Sequence, residues 1–311
     1  MVSICTLSAR KWDFTELAKV LAMQSYKNIE WVLVDFIYNE NRGMVASLSE
    51  ELSLPIIHIP RAVDSVSLKY MRDIARNRNL AAMAANGDYI IYLDDYSMVG
   101  KYFVESHKNL LGLNRISCGK MHFLKDVHAW ETPTDGLLYI SEDDDRFMHD
   151  HRCTALANPS YPMAVLGPEW TYTGNLGMPK KILFDLGGFD PRLSSRGEDS
   201  DFGIRAAAFG CEIFYNPAAV SVNLPTLGIP YQLPFQHSHP LHQLNSRDKE
   251  LITNTVLQEE LNVTVEERYG VPTAVCKDCG AEYVLDPAKF IYSKKDRCEV
   301  VVPKELSGIG I

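Results

Sequence analysis

Short apolar runs alternate with stretches of helical period over about the first hundred residues. Val2 to Thr6 is long enough only for a strand, and Asp13 or Thr15 stands where a cap would open a helix through Tyr26. Ile29 to Phe36 (IEWVLVDF) reads as a buried strand carrying a carboxylate, Asp35, at its end. A helix over Met44 to Leu52 precedes a third strand, Pro55 to Ile59. The next helix places Leu68, Met71, Ile74 and Ala75 on one face and runs to Asn86-Gly87, a C-cap signal. Asp88 to Leu93 (DYIIYL) is the fourth strand. Near-continuous apolar strands separated by helices are what a parallel sheet covered on both faces requires, so the pattern predicts an α/β chain.

Asp94 and Asp95 follow the fourth strand directly and so sit at its carboxyl end, where open α/β sheets bind ligands. Asp35 is placed the same way on an earlier strand. From about residue 113 the regularity fades and Gly, Pro and aromatic residues thicken, as in a half built from long loops that shape a binding site. Within it, Gly187 to Phe209 (GGFDPRLSSRGEDSDFGIRAAAF) holds a Gly-Gly turn, a loop ending Gly-Glu-Asp, and a helix with Phe202, Ala206 and Phe209 on its apolar face. Glu198, Asp199 and Asp201 crowd the first turn, where exposed amides and the helix dipole favour ionised carboxylates. Two such groups side by side can divide the work of orienting and deprotonating a hydroxyl; plain first-turn charge is the alternative for Glu198. A C-terminal extension from about Ser246 carries a helical stretch, Asp248 to Glu260, and then Cys276-Lys277-Asp278-Cys279. The expected organisation is 1–112, 113–245 and 246–311.

Composition narrows the function classes. With 46% hydrophobic residues in 311, the chain can bury a sizeable core. A net charge of -9 and a pI near 5.5 give no broad footprint for nucleic acid, although a local basic groove would be hidden in that sum. No run approaches the roughly 20 apolar residues of a spanning helix, and Met1 to Thr6 has no basic start, so a soluble cytoplasmic chain is expected. Seven cysteines, mostly single and set in apolar runs (Cys5, Cys118, Cys211), fit reduced thiols better than a disulfide framework.

Three segments together resemble the GT-A glycosyltransferases, family 2-like with a galactosyltransferase-type C-terminal motif. They are Tyr26-Lys27-Asn28-Ile29-Glu30 leading to Val34-Asp35; Arg78-Asn79 through Gly87-Asp88-Tyr89-Ile90 to Leu93-Asp94-Asp95; and Thr173-Gly174-Asn175 leading to Gly187-Gly188-Phe189-Asp190 and Gly197-Glu198-Asp199. The resemblance covers roughly residues 1 to 240. It implies a Rossmann-like mixed sheet with helices on both faces, followed by the extension. It also implies an inverting, metal-dependent hexosyltransferase that uses a nucleotide-diphosphate sugar, a uridine diphosphate sugar by family majority. Asp94 and Asp95 match the residues that hold Mn2+ or Mg2+, whose charge offsets that of the departing diphosphate. Asp35 matches the nucleotide-contacting Asp, and Thr6 and Arg78 join Asp35 and Asp94 as donor contacts. Asp199 matches the base that deprotonates the acceptor, and Glu198 its acceptor-holding neighbour. The resemblance makes a saccharide the expected acceptor, with a protein or a modified nucleic-acid base left open.

Tyr96 stands where an Asp-x-Asp pattern has its second acid, so a further metal ligand is expected from elsewhere. His237 and His239, on one side of an extended segment, and His242 are the candidates; a solvated polar loop is their other reading. Phe36 follows Asp35 where a second acid would stand, and Ser195 and Arg196 replace an aromatic residue before Gly-Glu-Asp. Glu142-Asp143-Asp144-Asp145 with His149 and His151 is a rival acidic run that reads either as a second metal site or, as charge runs usually are, as a solvated turn. Cys276 and Cys279, with Cys298 at a compatible distance, read either as three ligands of a structural Zn2+ or as ordinary thiols. A catalytically silent sugar-nucleotide-binding scaffold is the alternative function. A nucleotidylyltransferase ranks last, since Ser8-Ala9-Arg10-Lys11 lacks the glycine-rich loop it would need.

Overall fold

A computed structural model of the chain describes residues 1–9, 13–61, 73–126, 130, 132–138, 140–141, 144–149, 167–191, 193, 197–225, 255–260, 262–268, 271–277 and 282–284. In chain order the first elements are β1 (Val2–Ser8), α1 (Thr15–Ala22), β2 (Ile29–Asp35), α2 (Tyr38–Leu52), β3 (Ile56–Pro60), α3 (Asp73–Ala84) and β4 (Tyr89–Leu93). There follow β5 (Ser97–Val99), α4 (Phe103–Leu110), β6 (Arg115–Leu124), β7 (Phe147–His149), β8 (Asn175–Pro179), α5 (Lys180–Asp185), α6 (Glu198–Ala208) and β9 (Glu212–Asn223). A short 3-10 turn, Pro168–Trp170, precedes β8. In the extension lie α7 (Thr255–Glu260), β10 (Val263–Arg268), β11 (Val271–Cys276) and β12 (Glu282–Val284), the three strands forming an antiparallel sheet of their own.

The main sheet has the order β3-β2-β1-β4-β8-β6-β9-β5, with β7 paired to β6. β3, β2, β1 and β4 run parallel. β8 is antiparallel to both β4 and β6, while β9 lies parallel to β6 and antiparallel to β5. Strand alternation divides the core. Ile4, Trp31 and Leu33 meet α1 and α2 on one face, and Cys5, Val32 and Val34 meet α3, Phe189 and Phe202 on the other. Between β6 and β9 the register jumps from Gly119 opposite Asn216 to Lys120 opposite Val220, leaving Pro217, Ala218 and Ala219 as a bulge in β9.

Three local differences from the sequence pattern have identifiable causes. α2 begins at Tyr38 rather than Met44, because Asp35 accepts the Ile37 N–H (2.9 Å) and the Asn41 amide (2.9 Å) and so organises a polar first turn that carries no apolar period. α1 ends at Ala22 rather than Tyr26: the Gln24 amide donates both to Val20 O (2.9 Å) and to Gly100 O (3.0 Å), tying the helix end to the next layer. Phe202 and Ala206 are buried as expected, but Phe209 is 53% exposed. Gly210, at φ 96°, ends the helix there and sends the chain into β9 before Phe209 can reach the core. Among the described residues no helix is long and apolar enough to cross a membrane.

Candidate active site

The carboxyl ends of β1 and β4 open onto a cleft of about 130 Å3, among whose lining residues are Phe36, Arg78, Asp94, Asp95, Tyr96 and Thr173. Asp94 and Asp95 enter it directly from β4. Asp95 is buried and accepts the Ser8 hydroxyl (2.7 Å), so the end of β1 fixes its orientation. Gly174 presses against Asp94: a Cβ there would lie 2.8 Å from Oδ2. Asp95 is thus held by a side-chain hydroxyl, and Asp94 is backed by the bare glycine at 174.

The N-terminus of α6 is joined to the cleft through Arg78, which lines the cleft and bonds Glu198. Gly197, left-handed at φ 96°, turns the chain into the helix, a conformation that costs glycine little. Glu198 is 3% exposed; its Oε1 accepts Arg78 Nη1 at 2.5 Å, and its Oε2 is buried with no hydrogen-bond partner among the described residues. A buried acceptor without a donor is costly, which leaves Oε2 ready to accept one. Asp199 accepts the N–H groups of Ser200 (2.9 Å) and Thr173. Burial and the neighbouring Glu198 charge nonetheless push its pKa up to about 7, against the pull of Arg78 and the two amides. Arg78 ties the two acidic groups together. Burial acts to lower its pKa, but Glu198, Asp199 and Asp94 more than offset that and hold it above the ordinary arginine value. Its guanidinium also packs over the Phe189 ring, 5.6 Å from the centroid.

The glycine-rich motif supplies this geometry. Gly187 and Gly188 take φ of 73° and 76°, and Asn79 clamps the turn by bonding both the N–H and the C=O of Phe189 (2.8 Å each). Asp201 points away from the cleft to Arg205 (2.9 Å), whose other nitrogens hold Leu186 O and Gly188 O. It is thus the clamp of the motif, and the paired acids are Glu198 and Asp199. α6 lies flush on the 3-10 turn: a Cβ at Gly203 would meet Pro168 O at 2.0 Å.

Other candidates fall elsewhere. Thr6 is fully buried and accepts the Trp31 indole N–H (3.0 Å); its neighbours Cys5 and Leu7 line the cleft, so alternation turns Thr6 to the opposite face. Asp35 is fully buried, its oxygens held by the Ile37 N–H, Asn41 and His58 (3.1 Å), and Phe36, not Asp35, reaches the cleft. Asp144 pairs with Arg146 (2.6 Å). His237, His239, His242, Cys279, Cys298, Ser195, Arg196, Glu142, Asp143 and His151 lie outside the described residues, and Cys276 is the last residue of β11. No group of three or more His, Cys, Asp or Glu that could hold a metal occurs among the described residues. Ser8 is a support of Asp95 that sequence reasoning did not single out, since a lone serine carries no periodic signal; Asn79 stood in the Arg78-Asn79 segment, but its clamp on Phe189 is non-local and left no mark in the sequence.

No protein-family model matches the chain, and no curated protein matches it. Solved structures do. GalNAc-T7 with UDP, GalNAc and Mn2+ aligns with a TM-score of 0.52 at 13% identity over 73% of this chain and 43% of that one. S. aureus TarS 1-349 in complex with UDP-GlcNAc aligns with a TM-score of 0.50 at 15% identity over 84% of this chain and 71% of that one. The chain spans 60% of a TarS 1-349 structure with UDP and less than half of GalNAc-T7. The mixed sheet, its covering helices and these alignments give one answer: the chain has the GT-A fold.

Proposed function

We propose that the chain is a nucleotide-sugar glycosyltransferase working by a single inverting displacement. The observation that carries this reading is the pair Glu198 and Asp199, one with an oxygen that has no partner among the described residues and the other with a pKa raised to about 7, linked by Arg78 to the cleft-lining Asp94. The fold neighbours solved with UDP, UDP-GlcNAc, GalNAc and Mn2+ support a uridine diphosphate sugar as donor.

In this mechanism Arg78 meets the donor's diphosphate. Asp94 and Asp95 would hold a divalent cation, Mn2+ or Mg2+, through the hard carboxylate oxygens that suit it. Such a cation, when bound, neutralises charge on the leaving group. Glu198 Oε2 accepts a hydrogen bond from the acceptor and orients it. Asp199 takes the proton from the acceptor hydroxyl; a base whose pKa lies near the working pH is half ready to act and still basic enough to do so. The acceptor oxygen attacks the anomeric carbon as the diphosphate departs, so no enzyme nucleophile is needed. A hydroxyl-rich acceptor such as a saccharide matches two adjacent carboxylates. The test is a screen of nucleotide-sugar donors by nucleotide release, with and without Mn2+ and saccharide acceptors. Acceptor-dependent release with inversion at the anomeric carbon is expected. Donor binding without release under any condition would leave a silent binding protein, and a retained configuration would remove the base role of Asp199.

A further inference from the structure

Beneath the cleft lies a buried polar cluster that the proposed chemistry does not use. His107 of α4 is fully buried, with Nδ1 2.8 Å from Ser117 Oγ and Nε2 2.8 Å from Asn175 Oδ1. The Asn175 amide nitrogen donates to Ala219 O (2.9 Å), Ser221 Oγ (3.1 Å) and Lys120 O (3.2 Å), the groups opened by the β9 bulge. The two carbonyl oxygens, Ala219 O and Lys120 O, can only accept, so they fix which way the Asn175 amide points. Its Oδ1 must therefore accept, so Nε2 of His107 carries the proton and Nδ1 accepts from Ser117, which in turn accepts from Asn216 (3.0 Å). Burial pushes the imidazole down to about 4, in keeping with a neutral ring. Two glycines make the room: a Cβ on Gly119 would lie 2.1 Å from Asn175 Oδ1, and one on Gly177 2.8 Å from His107 Nδ1.

Asn175 is the first residue of β8, paired with Leu93 immediately before Asp94, and it follows Thr173 and Gly174. Thr173 gives its N–H to Asp199, and Gly174 abuts Asp94. We infer that His107 is a positioning residue: through Asn175 it locks the 173–175 segment onto the β9 bulge, and so holds the donor-side Asp94 and the acceptor-side base Asp199 in register. The inference rests on the functional reading of those two carboxylates.

Two substitutions separate positioning from mere filling of space. His107→Gln can return an N–H to the place of Nε2 and keep the bond to Asn175, whereas His107→Asn reaches only the place of Nδ1. Each is purified as the full chain and assayed for donor affinity, kcat, and hydrogen exchange at the Thr173 amide. His107→Asn is expected to lose roughly ten- to hundredfold in kcat, with donor Kd within about twofold of wild type, as a misaligned pair of reacting groups would. Its Thr173 amide should exchange roughly tenfold faster. His107→Gln should keep kcat within about threefold of wild type and leave Thr173 protected, its bond to Asn175 being retained. Equal losses in both variants, or a Thr173 amide unchanged in His107→Asn, would overturn the inference. If wild type turns over no donor, the functional reading falls; the exchange comparison, with the 15N shifts of the His107 ring, still decides the clamp. A ring with its proton on Nδ1 would likewise overturn it.

Discussion

The two halves of the sheet differ in how their buried polar groups are connected. The parallel half buries Ile4, Val32, Leu33, Val34, Ile90 and Ile91 beside small separate polar contacts, Ser3 with Glu30, Thr6 with Trp31, and Asp35 with Asn41 and His58. The half built around β8, β6 and β9 buries His107, Ser117, Asn175, Asn216 and Ser221 in one connected set of hydrogen bonds. Apolar packing is non-directional and tolerates exchange of similar volumes, whereas a buried polar set is satisfied in one arrangement only. The carboxylate pairs follow this division. Asp94 and Asp95 arrive at the end of an apolar strand, while Glu198 and Asp199 are held by a left-handed glycine, a buried arginine and the Thr173 amide. The lesson is that the regular half offers a platform and the polar half supplies alignment.

The largest expected effect tests whether the chemistry belongs to the second half. Asp199→Asn keeps size and most hydrogen bonding but cannot take a proton, so kcat should fall by roughly 10²–10⁴ while donor affinity stays near wild type. Steady-state kinetics beside calorimetric donor binding read both. A loss under about tenfold would move the base elsewhere, and Glu198 is the next carboxylate in reach.

The next pair contrasts the halves directly. Ile90→Leu conserves volume in the apolar half and should cost under about 1.5 kcal/mol. Asn175→Leu is also close in size but strips partners from the buried His107 and Ala219 O at about 1–3 kcal/mol each, so a loss of several kcal/mol is expected in denaturant titrations. Similar costs at the two positions would erase the distinction drawn here.

That contrast also explains what the sequence made legible. The apolar runs of β1, β2, β3 and β4 announced a parallel sheet because burial on both faces leaves a period that can be read along the chain. The glycine-rich motif and Asp94-Asp95 were legible because turn residues and a carboxylate at a strand end are local signals. The pairing of β8 between β4 and β6, the β9 bulge and the Asn175 cluster were not, since each partner of a non-local hydrogen bond looks like an ordinary polar residue on its own. Asp35 carries the same strand-end signal, and nothing in the sequence marks the contacts with Asn41, His58 and the Ile37 amide that hold its oxygens. Thr6 sits one residue from cleft-lining positions on either side, and only the strand's facing, which the sequence leaves open by one step, turned it toward Trp31.

A smaller effect concerns pH. Asp199 has its folded-state pKa raised to about 7, well above that of an unfolded carboxyl near 4. Between about pH 4 and 7 the native state therefore binds more protons than the unfolded one, and its stability falls as pH rises through that window. Asp199→Asn should flatten the fall, measured as the unfolding free energy at several pH values against wild type. Turnover runs the other way, rising through about pH 7 as the base loses its proton. An unchanged stability slope in Asp199→Asn would show that another group carries the titration.

The smallest effect probes the platform. Gly43 lies inside α2, exposed, with nothing within 4 Å of where a Cβ would stand and no left-handed backbone to favour glycine. Its replacement by alanine removes conformational freedom from the unfolded chain and restores helix propensity, gaining about 0.4–1 kcal/mol. A thermal midpoint about 1–3 °C higher is the expected reading for a domain of this size. The same change at Gly119 of the polar half would drive a methyl into Asn175, so it should lower the midpoint. Gains at both glycines would show that the Asn175 cluster yields as easily as an apolar core, and a loss at Gly43 would show the parallel half constrained by more than its packing.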